Sequence, residues 1–113
     1  MLIKIPIHPL TVNQAWCGRR FKSPAYKQYE QDCFKLIRGT KVKGEVQIHY
    51  KFYTPFASTT DIDNLIKPIQ DILVKCELIE DDKKIMRIVA EKFKGEDKIE
   101  ILIQEYSEKL KTL

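Results

Sequence analysis

The sequence contains few of the residues that build disulfide frameworks or His/Cys metal centres. Among its 113 residues there are three cysteines and two histidines. Cys17, Cys33 and Cys76 are widely spaced and include no C-x-x-C pair, and neither His8 nor His49 has a partner at metal-ligand spacing. These absences argue against a disulfide framework and a zinc finger, and they favour a protein of the reducing cytoplasm.

Long apolar runs are also missing. No segment approaches the roughly 20 apolar residues that span a membrane, and the N-terminal segment is too short for a signal peptide and is broken by Lys4 and Pro6. We therefore expect a soluble cytoplasmic protein. The length suits one modest hydrophobic core, so residues 1–113 are predicted to form a single domain.

Positive charge is unevenly distributed along the chain. The formal net charge is +4, but the segment from Arg19 to Lys43 carries eight basic residues against two acidic ones. This block indicates a polyanion-binding surface, with a solvated helix face as the alternative. Trp16, just before it, suits contact with nucleic acid or burial under a loop. The candidates for DNA contact are Asn13, Arg19, Arg20, Lys22 and Lys27.

Hydrophobic periodicity predicts an α+β fold. Strands are expected over residues 2–7, 45–53, 85–93 and 98–106, with a hairpin turn at 95–97 between the last two. A helix is expected from Pro24, capped by Ser23, to about Arg38, with Gly39 as its C-terminal stop. A second helix follows residue 63. The predicted order is β-α-β-α-β-β, giving a small mixed sheet with two helices.

An acidic motif stands at the start of the second predicted helix. Asp61, Asp63 and Asn64 come within four residues, and Lys67 follows one helical turn after Asp63. Asp63 or Asn64 is predicted to cap this helix. A further acidic run, which includes Asp81 and Asp82, closes the segment. Because crowded carboxylates repel one another unless a cation neutralises them, a divalent-metal site is the leading interpretation.

The donor types narrow the chemistry of that site. The loop glycine and later acidic ligands of an EF-hand are missing. Carboxylate oxygens suit Mg²⁺ or Mn²⁺, which can activate water and stabilise both oxygens of an in-line phosphoryl displacement. The alternative is that Asp63 or Asn64 only caps a helix, Lys67 is a surface residue, and Asp81-Asp82 forms a turn.

Residues 61–82 resemble the RusA family of Holliday junction resolvases, endodeoxyribonucleases of bacteria and prophages. The resemblance rests on the type and spacing of Asp61, Asp63, Asn64, Lys67, Asp71, Leu73, Asp81 and Asp82. It extends more loosely to the N-terminal strand, to Asn13 and to the order of elements. It implies a homodimer that requires Mg²⁺ or Mn²⁺ and nicks four-way DNA junctions symmetrically.

The resemblance also implies roles for individual residues. Asp61, Asp63 and Asp82 would bind the metal, and Lys67 would be the catalytic lysine. Asn64 and Asp81 are neighbours of these residues in sequence, and we expect their side chains to hold the metal ligands and Lys67 in position. Family members carry basic residues just before the first acid, where this chain has residues 56–60 without a charge. The basic block is therefore expected to make more of the DNA contact.

Two other functions fit the same sequence features. A non-catalytic DNA-binding accessory protein of recombination would use the basic block and need none of the acids. A metal-dependent phosphohydrolase acting on nucleotides would use the acids and need no basic block.

Overall fold

A four-stranded mixed sheet is the centre of the fold in the computed structural model, which describes residues 1–18 and 21–107. The elements in chain order are β1 (Leu2–Ile5), α1 (Val12–Ala15), β2 (Trp16–Cys17), β3 (Phe21–Lys22), α2 (Pro24–Leu36), β4 (Val46–Thr54), α3 (Asp63–Lys75), β5 (Ile85–Lys94) and β6 (Lys98–Glu105). Short 3₁₀ turns cover Ala57–Thr59 and Asp82–Lys84. The predicted α+β class and mixed sheet are confirmed, and α1 and the ribbon of β2 and β3 are additional.

Strand β4 lies in the interior of the sheet, and one of its faces is buried and mostly apolar. Val46, Ile48, Tyr50 and Phe52 are each at most 1% exposed, and burial of each such side chain contributes about 1.5–3 kcal/mol. This alternation was predicted and is confirmed. On the opposite face, His49 Nε2 lies 2.7 Å from Glu91 Oε1.

The predicted hairpin between β5 and β6 is wrong. The spatial order is β1-β6-β4-β5, so β4 separates the two strands. Strand β4 pairs in parallel with β5 and antiparallel with β6. The connecting loop passes the end of β4, where the Gly95 N–H donates to the Thr54 carbonyl at 3.2 Å. The turn residues mark a chain reversal, but they do not show that β4 lies between β5 and β6.

Helix α2 begins as the sequence predicts and ends slightly earlier. The Ser23 hydroxyl accepts a hydrogen bond from the Tyr26 N–H, and Pro24 is the first helical residue. The C-cap is Ile37, whose N–H donates to the Cys33 carbonyl at 2.8 Å. Gly39 is therefore not the helix stop. A Cβ atom at position 39 would collide with Met1 Sδ, so this glycine permits a close approach of the N-terminus.

The stretch between β1 and α2, for which the sequence predicts no helix or strand, is ordered by local hydrogen bonds. Thr11 and Gln14 form a reciprocal capping box around α1. Strands β2 and β3 form a two-stranded ribbon in which Trp16 pairs with Lys22. The Ser23 N–H donates to the Ala15 carbonyl at 2.9 Å, which fixes the ribbon at the start of α2. Within the described residues, no helix has the length and apolar character needed to cross a membrane.

Candidate active site at the start of helix α3

The two leading carboxylates lie at the N-terminus of α3 and are not used as caps. The N-cap is Ile62, which makes no side-chain capping bond, so the prediction that Asp63 or Asn64 caps the helix is wrong. The first turn is closed by backbone bonds, from the Asn64 N–H to the Asp61 carbonyl and from the Leu65 N–H to the Ile62 carbonyl, at 3.2 and 3.1 Å. Asp61 and Asp63 are both exposed.

Lys67 lies between two carboxylates. Its Nζ atom is 2.8 Å from Asp71 Oδ1 and 3.7 Å from Asp82 Oδ2. The hydrogen bond to Asp71 raises the pKa of Lys67, and the nearby charge of Asp82 adds to the increase. Asp63, Lys67 and Asp71 follow one another at four-residue intervals, so they share one side of the helix. The site therefore combines an amine whose pKa is raised with acids on the same helix face.

The turn after α3 distinguishes the two adjacent aspartates. Asp81 Oδ1 accepts a hydrogen bond from the Lys83 N–H at 2.9 Å, and this bond lowers the pKa of Asp81. Asp81 thus stabilises the 3₁₀ turn, as the turn alternative predicted for this pair. The carboxylate of Asp82 is directed instead toward Lys67.

The donor atoms suit Mg²⁺ or Mn²⁺, because exposed carboxylate oxygens are the ligands these ions prefer. In the described ranges 1–18 and 21–107, however, no group of three or more His, Cys, Asp or Glu side chains lies at metal-binding spacing. The structure brings Asp82 to the Lys67–Asp71 pair. Roles of Asp61, Asp63 and Asp82 as joint metal ligands stay predictions.

The predicted DNA-contacting residues that the structure describes lie on three elements, α1, β3 and α2. Asn13 is exposed on α1 and lines a hollow with Trp16. Lys27 is exposed on the first turn of α2. Lys22 Nζ lies 2.9 and 3.0 Å from the two carboxylate oxygens of Glu30. Arg19 and Arg20 lie outside the described residues.

Three residues near the site were missed by the role assignments from sequence. Asp71 follows Lys67 by four residues on one helix, a spacing from which their ion pair could have been predicted. Glu30 is buried on α2 and accepts hydrogen bonds from both Lys22 and Lys75. No local pattern reveals that contact, because Lys75 is 45 residues away from Glu30 in sequence.

The sequence also matches a family model. The model is described as Endodeoxyribonuclease RusA, and the match covers residues 7–104. It includes the start of α3, the 3₁₀ turn of Asp82 and most of the sheet. No curated protein matches the sequence.

Proposed function

Since the chain belongs to the RusA endodeoxyribonuclease family, we propose that it is a Mg²⁺-dependent nuclease that resolves Holliday junctions by paired symmetric nicks in DNA recombination and repair. The family cleaves DNA and acts on DNA junctions. The observation that carries the proposal is the position of Lys67 Nζ between Asp71 and Asp82, on a residue one helical turn after Asp63.

We assign the metal to Asp61, Asp63 and Asp82. All three are exposed carboxylates, and Mg²⁺ or Mn²⁺ accepts such oxygen ligands. Asp82 is preferred to Asp81 because the latter is hydrogen-bonded within its own turn. Asn64, in the first turn of α3, and Asp81 support these ligands from adjacent positions. When held there, the ion would supply the activation of a water and would offset charge on the attacking and leaving oxygens.

Lys67 acts on the phosphate. Its raised pKa keeps the amine protonated at the pH of any nuclease assay, so it can donate hydrogen bonds to a non-bridging phosphate oxygen. Asp71 holds the amine at 2.8 Å and limits the directions it can take. Because Lys67 is 56% exposed, a phosphate can reach it without displacing a packed side chain.

Away from the acidic site, the DNA is contacted by the basic segment before α2 and by α2 itself. We propose Asn13, Arg19, Arg20, Lys22 and Lys27 as contacts to the DNA backbone. The support is their chemistry and, for Asn13 and Lys27, their exposure.

The active form is proposed to be a homodimer. A four-way junction has two-fold symmetry, and its resolution needs nicks in two strands related by that symmetry. One chain carries one acidic cluster and so attacks one phosphodiester at a time. A dimer with C2 symmetry would place two identical clusters on the opposing strands.

The test is cleavage of labelled DNA by the purified protein. Four-way junction, duplex and flap substrates are incubated with and without Mg²⁺, and the products are resolved on denaturing gels. We expect Mg²⁺-dependent paired nicks in the junction, lost in Asp61→Asn, Asp63→Asn and Asp82→Asn proteins that still bind it. Full activity of Asp82→Asn together with loss in Asp81→Asn would reverse the choice between these two acids.

The same experiment separates the alternative functions. Junction binding without nicking at any Mg²⁺ or Mn²⁺ concentration would indicate a non-catalytic accessory protein. Hydrolysis of free nucleotides with no cleavage of DNA would indicate a phosphohydrolase.

A further inference from the structure

A groove extends from the candidate catalytic acids to the β2–β3 ribbon. Its volume is about 280 Å³. Three of its lining residues, Asp71, Asp81 and Asp82, are acids of the candidate site, and the others are Trp16, Lys22, Tyr26, Val74 and Lys75. The acidic end belongs to the site described above. The remaining part is aromatic and basic, which is the combination that binds single-stranded nucleic acid.

Trp16 separates this groove from a second hollow. The side chain lines both the groove and the hollow beside Asn13, and the residue is 37% exposed. Its ring is held perpendicular to the ring of Tyr26, with centroids 5.6 Å apart. A large aromatic side chain is thus fixed in orientation while much of its surface stays open to solvent. Such a side chain is a platform on which a base can stack.

Two lysines border the same groove, and one carboxylate holds both of them. Lys22 is the cross-strand partner of Trp16, so the two side chains share one face of the ribbon. Lys22 Nζ lies 2.9 Å and Lys75 Nζ 2.5 Å from carboxylate oxygens of Glu30. Within this cluster, two ammonium groups and one carboxylate leave one excess positive charge, which suits a phosphodiester, while the three aspartates of the lining belong to the metal-binding end.

We propose that this groove is a nucleotide subsite of the DNA strand being cut. A base next to the scissile phosphate stacks on Trp16, and an adjacent phosphate binds Lys22 and Lys75, which Glu30 holds in place. The proposal rests on the nuclease function proposed above. It also gives a source of preference for branched DNA, because a base must leave its own stack to reach Trp16. Bases at a branch point leave it at lower cost than bases within a duplex.

The chain provides its own probe for this subsite. Trp16 is the only tryptophan, so the intrinsic emission at tryptophan wavelengths reports on this position alone. The protein is titrated with unlabelled four-way junction in EDTA, which prevents cleavage, while anisotropy of a labelled junction measures binding in parallel. We expect emission to be quenched in step with occupancy. Duplex DNA of the same sequence should quench less at equal occupancy.

Variants of the ribbon provide the matched control. Trp16→Ala is expected to lower junction affinity about tenfold, equivalent to ~1.4 kcal/mol, a loss typical of one stacked base. Trp16→Phe should recover part of the loss. Phe21→Ala removes an aromatic side chain that is 71% exposed on the same ribbon, at a position adjacent to Lys22 and therefore on the opposite face. This change should leave junction affinity as it is.

The outcomes distinguish the subsite from the nuclease function. Unchanged Trp16 emission at saturating junction, with anisotropy showing a complex, would overturn the subsite and leave the nuclease function standing. Equal losses of affinity in Trp16→Ala and Phe21→Ala would overturn it as well. Absence of both binding and Mg²⁺-dependent nicking would refute the nuclease function and the subsite with it.

Discussion

Replacement of Lys67 by alanine should separate stability from turnover. The amine contacts Asp71 and Asp82, but it is 56% exposed, so solvent screens both ion pairs. Exposed pairs of this kind contribute about 0.2–1 kcal/mol. We therefore expect Lys67→Ala to lower the free energy of unfolding by no more than about 1 kcal/mol, which is within the usual range of surface substitutions.

The effect on turnover should be much larger. A group that donates to charge developing in the transition state is worth about 10²–10³ in rate when it is removed. Lys67 can fill that role because its pKa is raised by the hydrogen bond to Asp71, so it remains a donor throughout the assay range. The variant should still bind the junction, since a contact made mainly in the transition state contributes little to ground-state affinity.

The assay is single-turnover cleavage of a labelled four-way junction with enzyme in excess. It is paired with anisotropy in EDTA for affinity and with urea unfolding for stability. Lys84→Ala is the matched control, because it removes an equal charge from an exposed residue close to Asp82 in sequence. The control should cleave at the original rate. Cleavage by Lys67→Ala at that rate would refute the reasoning and make Lys67 a surface residue that forms ion pairs.

Three further predictions concern the charges and the assembly. Junction binding should weaken with salt, and Lys22→Ala and Lys27→Ala should each reduce the slope of log K against log salt concentration by about one. Unchanged slopes would mean that the DNA binds another face of the protein. Burial opposes ionisation of Glu30, but hydrogen bonds from Lys75 and Lys22 outweigh it and lower its pKa. Stabilisation by Glu30 is therefore present above its ordinary pKa of 4.5 and lost as the pH falls through the lower folded value. Glu30→Gln should cost about 1.5–3 kcal/mol at neutral pH and progressively less in acid, as measured by urea unfolding; a difference independent of pH would contradict the lowered pKa. Sedimentation should show a dimer, free and on the junction, and a monomer that leaves single unpaired nicks would exclude the symmetric arrangement.

The local elements were predictable because each depends on a short sequence pattern. The alternating burial of β4 and the start of α2 at Ser23-Pro24 each depend on residues that are close in sequence, and both are confirmed. The start of α3 was harder to predict. Pro68 lies inside the helix and Ile62 precedes it without a side-chain cap, so the usual capping signal led to the wrong residue.

The arrangement of elements and parts of the site were not predictable in the same way. Turn residues at 95–97 indicate that the chain reverses, but they do not show that β4 lies between the two arms. The Lys67–Asp71 pair follows from helical spacing, whereas the distance from Lys67 to Asp82 depends on how the turn after α3 folds back. The contacts of Glu30 join a ribbon, α2 and the end of α3. Tertiary packing alone brings these together.

Glu30 connects the stability of the fold with the positions of two lysines in the groove. A carboxylate that is 7% exposed loses most of its hydration, a cost of several kcal/mol that only well-placed partners offset. Its partners, Lys22 and Lys75, have side chains that are 32% and 42% exposed, so both ammonium groups would keep contact with water even without Glu30. Buried ion networks can often be replaced as a whole by apolar residues without loss of stability, whereas removal of one partner alone is destabilising. Glu30 therefore stabilises the fold together with Lys22 and Lys75, and the same contacts hold both ammonium groups at the groove that Trp16 lines. The proposed subsite would need this carboxylate to position the two lysines, in addition to its contribution to stability.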